Sequence, residues 1–358
     1  MTSLASAPLS HEEIISRLRG QTLHVPDLTC LFAHWPAPTK NEHYAALQST
    51  VHEAVTTVAA KHPASKRRLD DDIALLTSLG YAHAGLDELR ILGLYLVWLI
   101  CWDDEVDANE GDMAGDFSEA EAWRTDTLKV LNEALGVSST DMNKRGKDPL
   151  HDMLFDVGKA LQDRYTLQQR QHVCDKLTLF IQNCATEQKL RLEGKIPSYE
   201  DYMSMRIETV AGGTLCSLIE YSRGISLPTA CTTSNSRDEL DKQVSVLLSL
   251  LNDVLSLKKE LKTDCVINAV ATLMTATRSL DDVVAEVVTK MKQAVSSFDA
   301  AAAELESCAT SEAERTDALK YIDGCKALVT GTLEFTWVFH YAAKTPSNRM
   351  LRVQTRNY

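Results

Sequence analysis

The chain has 358 residues, 44% of them hydrophobic, with only 15 glycines and 9 prolines, a composition that excludes a disordered or collagen-like polymer and fits many helices with few tight turns. A formal charge of -13 excludes a basic nucleic-acid-binding surface, so an anionic ligand would need cations to bridge it to the protein. Nine cysteines stand singly without C-x-x-C spacing, which points away from a zinc site or disulfide framework and towards the reduced thiols of a cytoplasmic protein.

In chain order, the first residues show no basic stretch followed by an apolar run, so no secretory signal is expected. Ser10-His11-Glu12-Glu13 reads as a capping box at a helix start. Residues 21–41 hold Pro26, Pro36 and Pro38 and read as an ordered coil draped over the rest. A helix is expected over about 86–107. Its apolar stretch from Ile91 to Cys101 is too short to span a bilayer, so no stable membrane insertion is expected.

That helix runs through Tyr95, Trp98 and Trp102 and ends in Asp103-Asp104-Glu105-Val106-Asp107. Asp103 and Asp107 are four residues apart and Asp104 and Asp107 three, so their side chains can share one helix face. Carboxylates grouped in this way suit Mg²⁺, which takes one or two protein oxygens and fills its other positions with water and phosphate. The bland alternative is a solvated helix end. Asp70-Asp71-Asp72 and Asp281-Asp282 lack the spacing and read as surface acids.

Further on, 136–147 reads as a polar connection, and Ser198 to Asp201, just after Pro197, as a second helix start. No proline occurs between Thr229 and Thr345, which leaves room for helices over about 238–261, 264–277, 279–306 and 311–343. Strand alternation and internal repeats are lacking. The chain is therefore read as one all-α domain over 1–358, a helical bundle whose N-terminal segment, to about 41, is partly coil.

In the helix over 238–261, Asn252, Ser256 and Glu260 are spaced by four and form one continuous polar line among leucines. Their amide, hydroxyl and carboxylate oxygens can chelate a second hard cation, and Lys259 offers a positive charge to phosphate.

An aspartate-rich box about 150 residues before an N-D-x-x-S-x-x-K-E helix resembles the class I terpene synthases, in particular the fungal-type sesquiterpene cyclases. The resemblance implies an α-helical bundle with a central apolar cavity and the two boxes facing each other across its mouth. It also implies three Mg²⁺ ions held by Asp103, Asp104 and Asp107 on one side and Asn252, Ser256 and Glu260 on the other. The small-molecule partner would be a linear prenyl diphosphate, most simply farnesyl diphosphate, ionised and cyclised with release of diphosphate. The protein would be a monomer or homodimer. Arg206, which stands 46 residues before Asn252, matches the family's diphosphate-sensing arginine, with Thr209 and Val210 as linker and effector at a helix break eased by Gly212 and Gly213. Near the C-terminus Arg349 matches the arginine of a diphosphate-binding Arg-Tyr pair, whereas Met350 replaces the tyrosine and Arg352 is a rival for the arginine's role. The stretch from Pro26 through Trp35 to Tyr44 also resembles the family's N-terminal segment.

A carbocation calls for apolar walls and ring faces that stabilise it without capturing it. Tyr95, Trp98, Trp102, Phe335 and Trp337 are the candidate aromatics, each with ordinary core packing as the alternative. Competing readings are a cyclase acting on geranylgeranyl or geranyl diphosphate, a chain-elongating synthase, which would need a second aspartate-rich box, and a helical scaffold protein without activity. A class II cyclase would need a D-x-D-D string, and none occurs.

Overall fold

The structure, a computed structural model, describes residues 9–106, 111–138, 146–232, 235–340 and 351–354. The first helix, α1 (His11–Leu18), starts at Ser10: the Ser10 hydroxyl accepts from the Glu13 N–H at 3.3 Å, and the Glu13 carboxylate accepts from the Ser10 N–H at 2.8 Å. The segment read as coil is more regular than expected. It forms β1 (Thr22–Val25) and a 3₁₀ turn over Leu28–Phe32 before α2 (Tyr44–Lys61), a 3₁₀ turn over Pro63–Leu69 and α3 (Ile73–Gly80). Then come α4 (Leu86–Val106), α5 (Phe117–Ala134), α6 (Pro149–Arg164) and α7 (Leu167–Leu192). Short pieces follow, α8 (Tyr199–Thr209), α9 (Gly212–Cys216), α10 (Ile219–Arg223) and α11 (Thr229–Thr232), leading into the long α12 (Asn235–Glu260). The chain continues with α13 (Ala269–Thr272), α14 (Leu280–Ser307), α15 (Glu312–His340) and β2 (Leu351–Gln354).

The long helices surround one core. On α4, Leu89, Leu92, Tyr95, Trp98 and Trp102 are all buried, so this helix is apolar on most sides and is sheathed by α2 and α6. On the other side α12 packs against α14 and α15. The N-terminal segment is fastened to this second wall. Trp35 donates from Nε1 to Asp299 of α14 at 2.9 Å, Arg19 pairs with Asp264, and β1 pairs antiparallel with β2, Thr22 opposite Gln354. This ribbon is a minor addition to an all-helical fold. Among the described residues no helix is long and apolar enough to cross a membrane.

One expected helix, 264–277, is mostly not formed: Asp264 adopts a left-handed φ of 57° and stops the chain's helical path. Asn268 then caps the short α13 by accepting from the Val270 N–H at 2.8 Å.

Candidate active site

The C-terminal half of α12 carries its polar line to the surface of a cavity of about 440 Å³, where Asn252, Ser256, Lys259 and Glu260 all appear in the lining. The Ser256 hydroxyl donates to Glu260 Oε1, and Asn268 Nδ2 donates to Glu260 Oε2 at 2.8 Å. Burial and the neighbouring Asp253 push the Glu260 carboxyl up to about 7, against the lowering effect of Ser256, Asn268 and Arg206. A carboxylate so placed gains from an added cation, and an amide, a hydroxyl and a carboxylate one turn apart supply hard oxygen donors. The donor set thus fits a divalent ion such as Mg²⁺.

Arg206 rises from α8 to meet this line. Its Nη2 donates to Asn252 Oδ1 at 2.7 Å, its Nε to Asp253 Oδ1 at 3.2 Å and its Nη1 to Thr209 Oγ1 at 3.4 Å. Asp253, buried behind the line, also accepts from the Tyr202 hydroxyl at 2.5 Å and the Ala269 N–H at 2.8 Å. Burial opposes the charge on Arg206, but Tyr202 and Asp253 outweigh it and hold the guanidinium protonated.

The helix break after Arg206 is present, with Thr209, Val210 and Ala211 lining the cavity. Its left-handed residue is Ala211 (φ 61°), not either glycine, and such a conformation costs a non-glycine residue on the order of 1 kcal/mol or more. Gly212 serves a different need: a Cβ there would lie 2.7 Å from the Ser245 Cα, so glycine lets α9 press against α12.

The acidic end of α4 divides instead of converging. Asp103 lines the same cavity as the α12 line and accepts from the Cys184 thiol at 3.8 Å. Asp104 turns away into the protein, 1% exposed, where Arg67 Nη2 (2.5 Å), Arg68 Nη2 (2.6 Å) and Arg68 Nε (2.7 Å) hold it. The physical reason is that a carboxylate one residue on points about 100° around the helix, towards the arginines of the 3₁₀ turn. Asp107 and Arg349 lie outside the described residues, as does the Arg352 side chain. Asp71, expected as a surface acid, lines the cavity and pairs with Arg68 at 2.7 Å. Arg67, Arg68 and Arg191 add positive charge to the lining and were not expected there. The run Lys66-Arg67-Arg68 was the only signal in the sequence for the first two.

Of the five expected cavity aromatics, only Phe335 lines the cavity. Tyr95, Trp98 and Trp102 stack along α4 inside the core, with ring centroids 6.0 and 6.1 Å apart, and Trp102 meets Phe180 at 5.6 Å. Trp337 borders a separate small crevice with Val25, Pro26 and Leu28 of the N-terminal segment. Tyr81 and Phe180 are the rings missed by the sequence, joined in the wall by Leu96, Leu99, Leu215 and Leu248. Elsewhere Cys216, Asp241 and Cys325 come together in the core, but Tyr321 donates to Asp241 at 2.6 Å and burial pushes both thiols up. All nine cysteines are thiols outside any disulfide.

The whole chain has counterparts among known proteins. The chain is 27% identical over 320 residues to the sesquiterpene cyclase hepA of Aspergillus oryzae, covering 87% of this chain and 86% of that protein. It is 26% identical over 347 residues to the terpene cyclase braA of Annulohypoxylon truncatum, covering 94% and 90%. Among solved structures, hedycaryol synthase in complex with HEPES superposes with a TM-score of 0.70 at 20% identity, covering 90% of this chain and 100% of that one. An α-eudesmol synthase superposes with a TM-score of 0.72 at 16% identity, covering 84% and 96%. These likenesses show a shared fold, the class I terpenoid bundle. The model of terpene synthase family 2, C-terminal metal binding, matches residues 94–297, more than half of the chain, and the protein therefore belongs to that family and is a terpene synthase.

Proposed function

We propose that this enzyme ionises farnesyl diphosphate with the help of Mg²⁺ and cyclises the resulting cation to a sesquiterpene, releasing diphosphate. The observation that carries this reading is the meeting of Arg206, Asp103 and the Asn252–Ser256–Glu260 line at the mouth of one cavity with an apolar interior. A sesquiterpene cyclase among the relatives supports the fifteen-carbon substrate class.

In this reading Asn252, Ser256 and Glu260 hold one ion and Asp103, with Asp107, the others, so that bound Mg²⁺ supplies positive charge to the leaving diphosphate. Asp104 is withdrawn from the ligand set, because both its oxygens already serve Arg67 and Arg68. Arg206 and Lys259 orient the diphosphate and stabilise the charge that develops on it as the allylic carbon–oxygen bond breaks, with Arg349 joining them from the C-terminal segment. Val210 and Thr209 carry the arginine's movement to the cavity wall. Leu96, Leu99, Leu215 and Leu248 exclude water that would trap the cation, and Tyr81, Phe180 and Phe335 offer ring faces to it.

The test is incubation of the purified protein with farnesyl diphosphate and Mg²⁺, followed by gas chromatography of an organic extract. A cyclic C15 product that disappears with EDTA and with Asn252→Ala is expected. A longer diphosphate formed only when isopentenyl diphosphate is added would replace this reading with chain elongation.

A further inference from the structure

Asn268 follows α12 in the connection to α13 and is wholly buried. Both N–H donors and the carbonyl oxygen of its side chain are engaged. Its Nδ2 donates to the Asp253 carbonyl and to Glu260 Oε2, both at 2.8 Å, and its Oδ1 accepts from the Val270 N–H at 2.8 Å. The amide can sit only one way round, because reversing it would set Oδ1 against a carbonyl and a carboxylate. One N–H therefore anchors Asn268 to the backbone of α12, and the other holds one oxygen of a carboxylate two turns further along that helix.

The effect falls on Glu260, the last residue of α12, where the chain leaves the helix and its side chain has least support from its own backbone. With Oε2 fixed by Asn268, Oε1 is the oxygen that meets the Ser256 hydroxyl on the cavity side. We infer that Asn268 is a positioning residue: it takes Glu260 Oε2 and so presents Oε1, beside Ser256, to a divalent cation. The inference rests on the proposed metal–diphosphate chemistry and adds to it a residue outside the two acidic and amide boxes. Partners of this type, which orient a metal-binding carboxylate from behind, typically change metal affinity by about 10–100-fold when removed.

A purely structural role, capping α13, is separable. Asn268→Asp keeps an oxygen for the Val270 N–H and loses both donors, whereas Asn268→Ser keeps a shorter cap and cannot reach Glu260. Binding of Mg²⁺ with inorganic diphosphate is measured by calorimetry, with circular dichroism to establish that each variant is folded. The inference expects Asn268→Asp to bind about tenfold or more weakly than wild type, and expects no further loss when it is added to Glu260→Gln. Asn268→Ser, should the aspartate variant fail to fold, is expected to show the same loss. Binding within about twofold of wild type in a folded variant, or a loss that simply adds to that of Glu260→Gln, overturns it. Failure of the wild type itself to bind Mg²⁺ with diphosphate would overturn the underlying functional reading instead.

Discussion

Arg206 donates from Nη2 to Asn252 Oδ1 at 2.7 Å, so the guanidinium that would sense diphosphate occupies the oxygen that would bind a metal ion. Where an ion takes the lone pair that Arg206 now uses, one partner is exchanged for the other. Metal arrival at Asn252 would release Nη2 towards the cavity mouth, while Nε stays on Asp253 at 3.2 Å as a pivot. The proposed metal and diphosphate sites would then be coupled through one hydrogen bond.

Arg206→Ala should separate the two halves of this coupling. Without diphosphate, Mg²⁺ binding is expected to be at least as tight as in wild type, because Asn252 Oδ1 is relieved of its competitor. With diphosphate, affinity should fall, and turnover should drop by roughly 10²-fold or more. The variant should also lose about 2–4 kcal/mol of stability, since Asp253 is left buried without its cation. Calorimetry with and without inorganic diphosphate, alongside urea unfolding, checks all three.

Metal binding should depend on pH through Glu260. Its carboxyl is raised from an ordinary 4.5 to about 7 in the metal-free protein, so the proton must leave before an ion can bind. Affinity for Mg²⁺ should therefore climb as pH rises towards about 7 and level off above it. The same shift has the opposite effect on the metal-free fold: this group's contribution to stability is full below about 4.5 and is lost as pH rises through about 7. Thermal melts with EDTA and with Mg²⁺, taken across that range, should diverge as pH increases.

His62 gives an independent pH signature away from the cavity. It sits between Asp148 (Nε2, 3.1 Å) and Glu105 (Nδ1, 3.4 Å), fastening the C-terminal end of α4 to the start of α6. Burial lowers its pKa, but the hydrogen bond to Asp148 and the nearby Glu105 carboxylate prevail and raise it from 6.5 to about 9. A raised histidine stabilises fully below its unfolded value of about 6.5, and the contribution is lost as pH rises through about 9. Wild type should exceed His62→Gln by roughly 1–3 kcal/mol at the acid end of that window and lose most of the difference at about pH 10. Urea denaturation of the pair at both ends provides the measurement.

Aromatic substitutions should sort by position. Trp98→Ala removes a fully buried ring from the α4 stack and should cost about 3–5 kcal/mol, seen as a lower melting temperature. Phe335→Leu changes the cavity wall and should alter the proportions of terpene products, with a stability loss of about 1 kcal/mol. A changed product profile with Trp98→Phe and none with Phe335→Leu would reverse this placement.

The α12 line was legible in the sequence because its spacing of four matches the helix repeat, and leucines on the other faces fix which side is buried. The same logic located α4 and its acidic end. It did not separate Asp103 from Asp104, since the difference is made by Arg67 and Arg68, which belong to a turn remote in sequence. Nor did it place the aromatics: Tyr95, Trp98 and Trp102 lie on a helix that is apolar almost all round, so periodicity carries no information about which ring meets a cavity. The helix expected over 264–277 failed on Asp264, whose left-handed backbone aspartate tolerates better than most residues without its presence announcing it.

The most direct measurement offers the enzyme geranyl, farnesyl and geranylgeranyl diphosphate separately with Mg²⁺ and identifies the extracted products by mass spectrometry. Conversion of farnesyl diphosphate to a cyclic C15 product at a specificity constant well above those for the other two is the predicted result. Cyclisation confined to the C20 or C10 substrate, or no product from any of the three by folded protein, would contradict it.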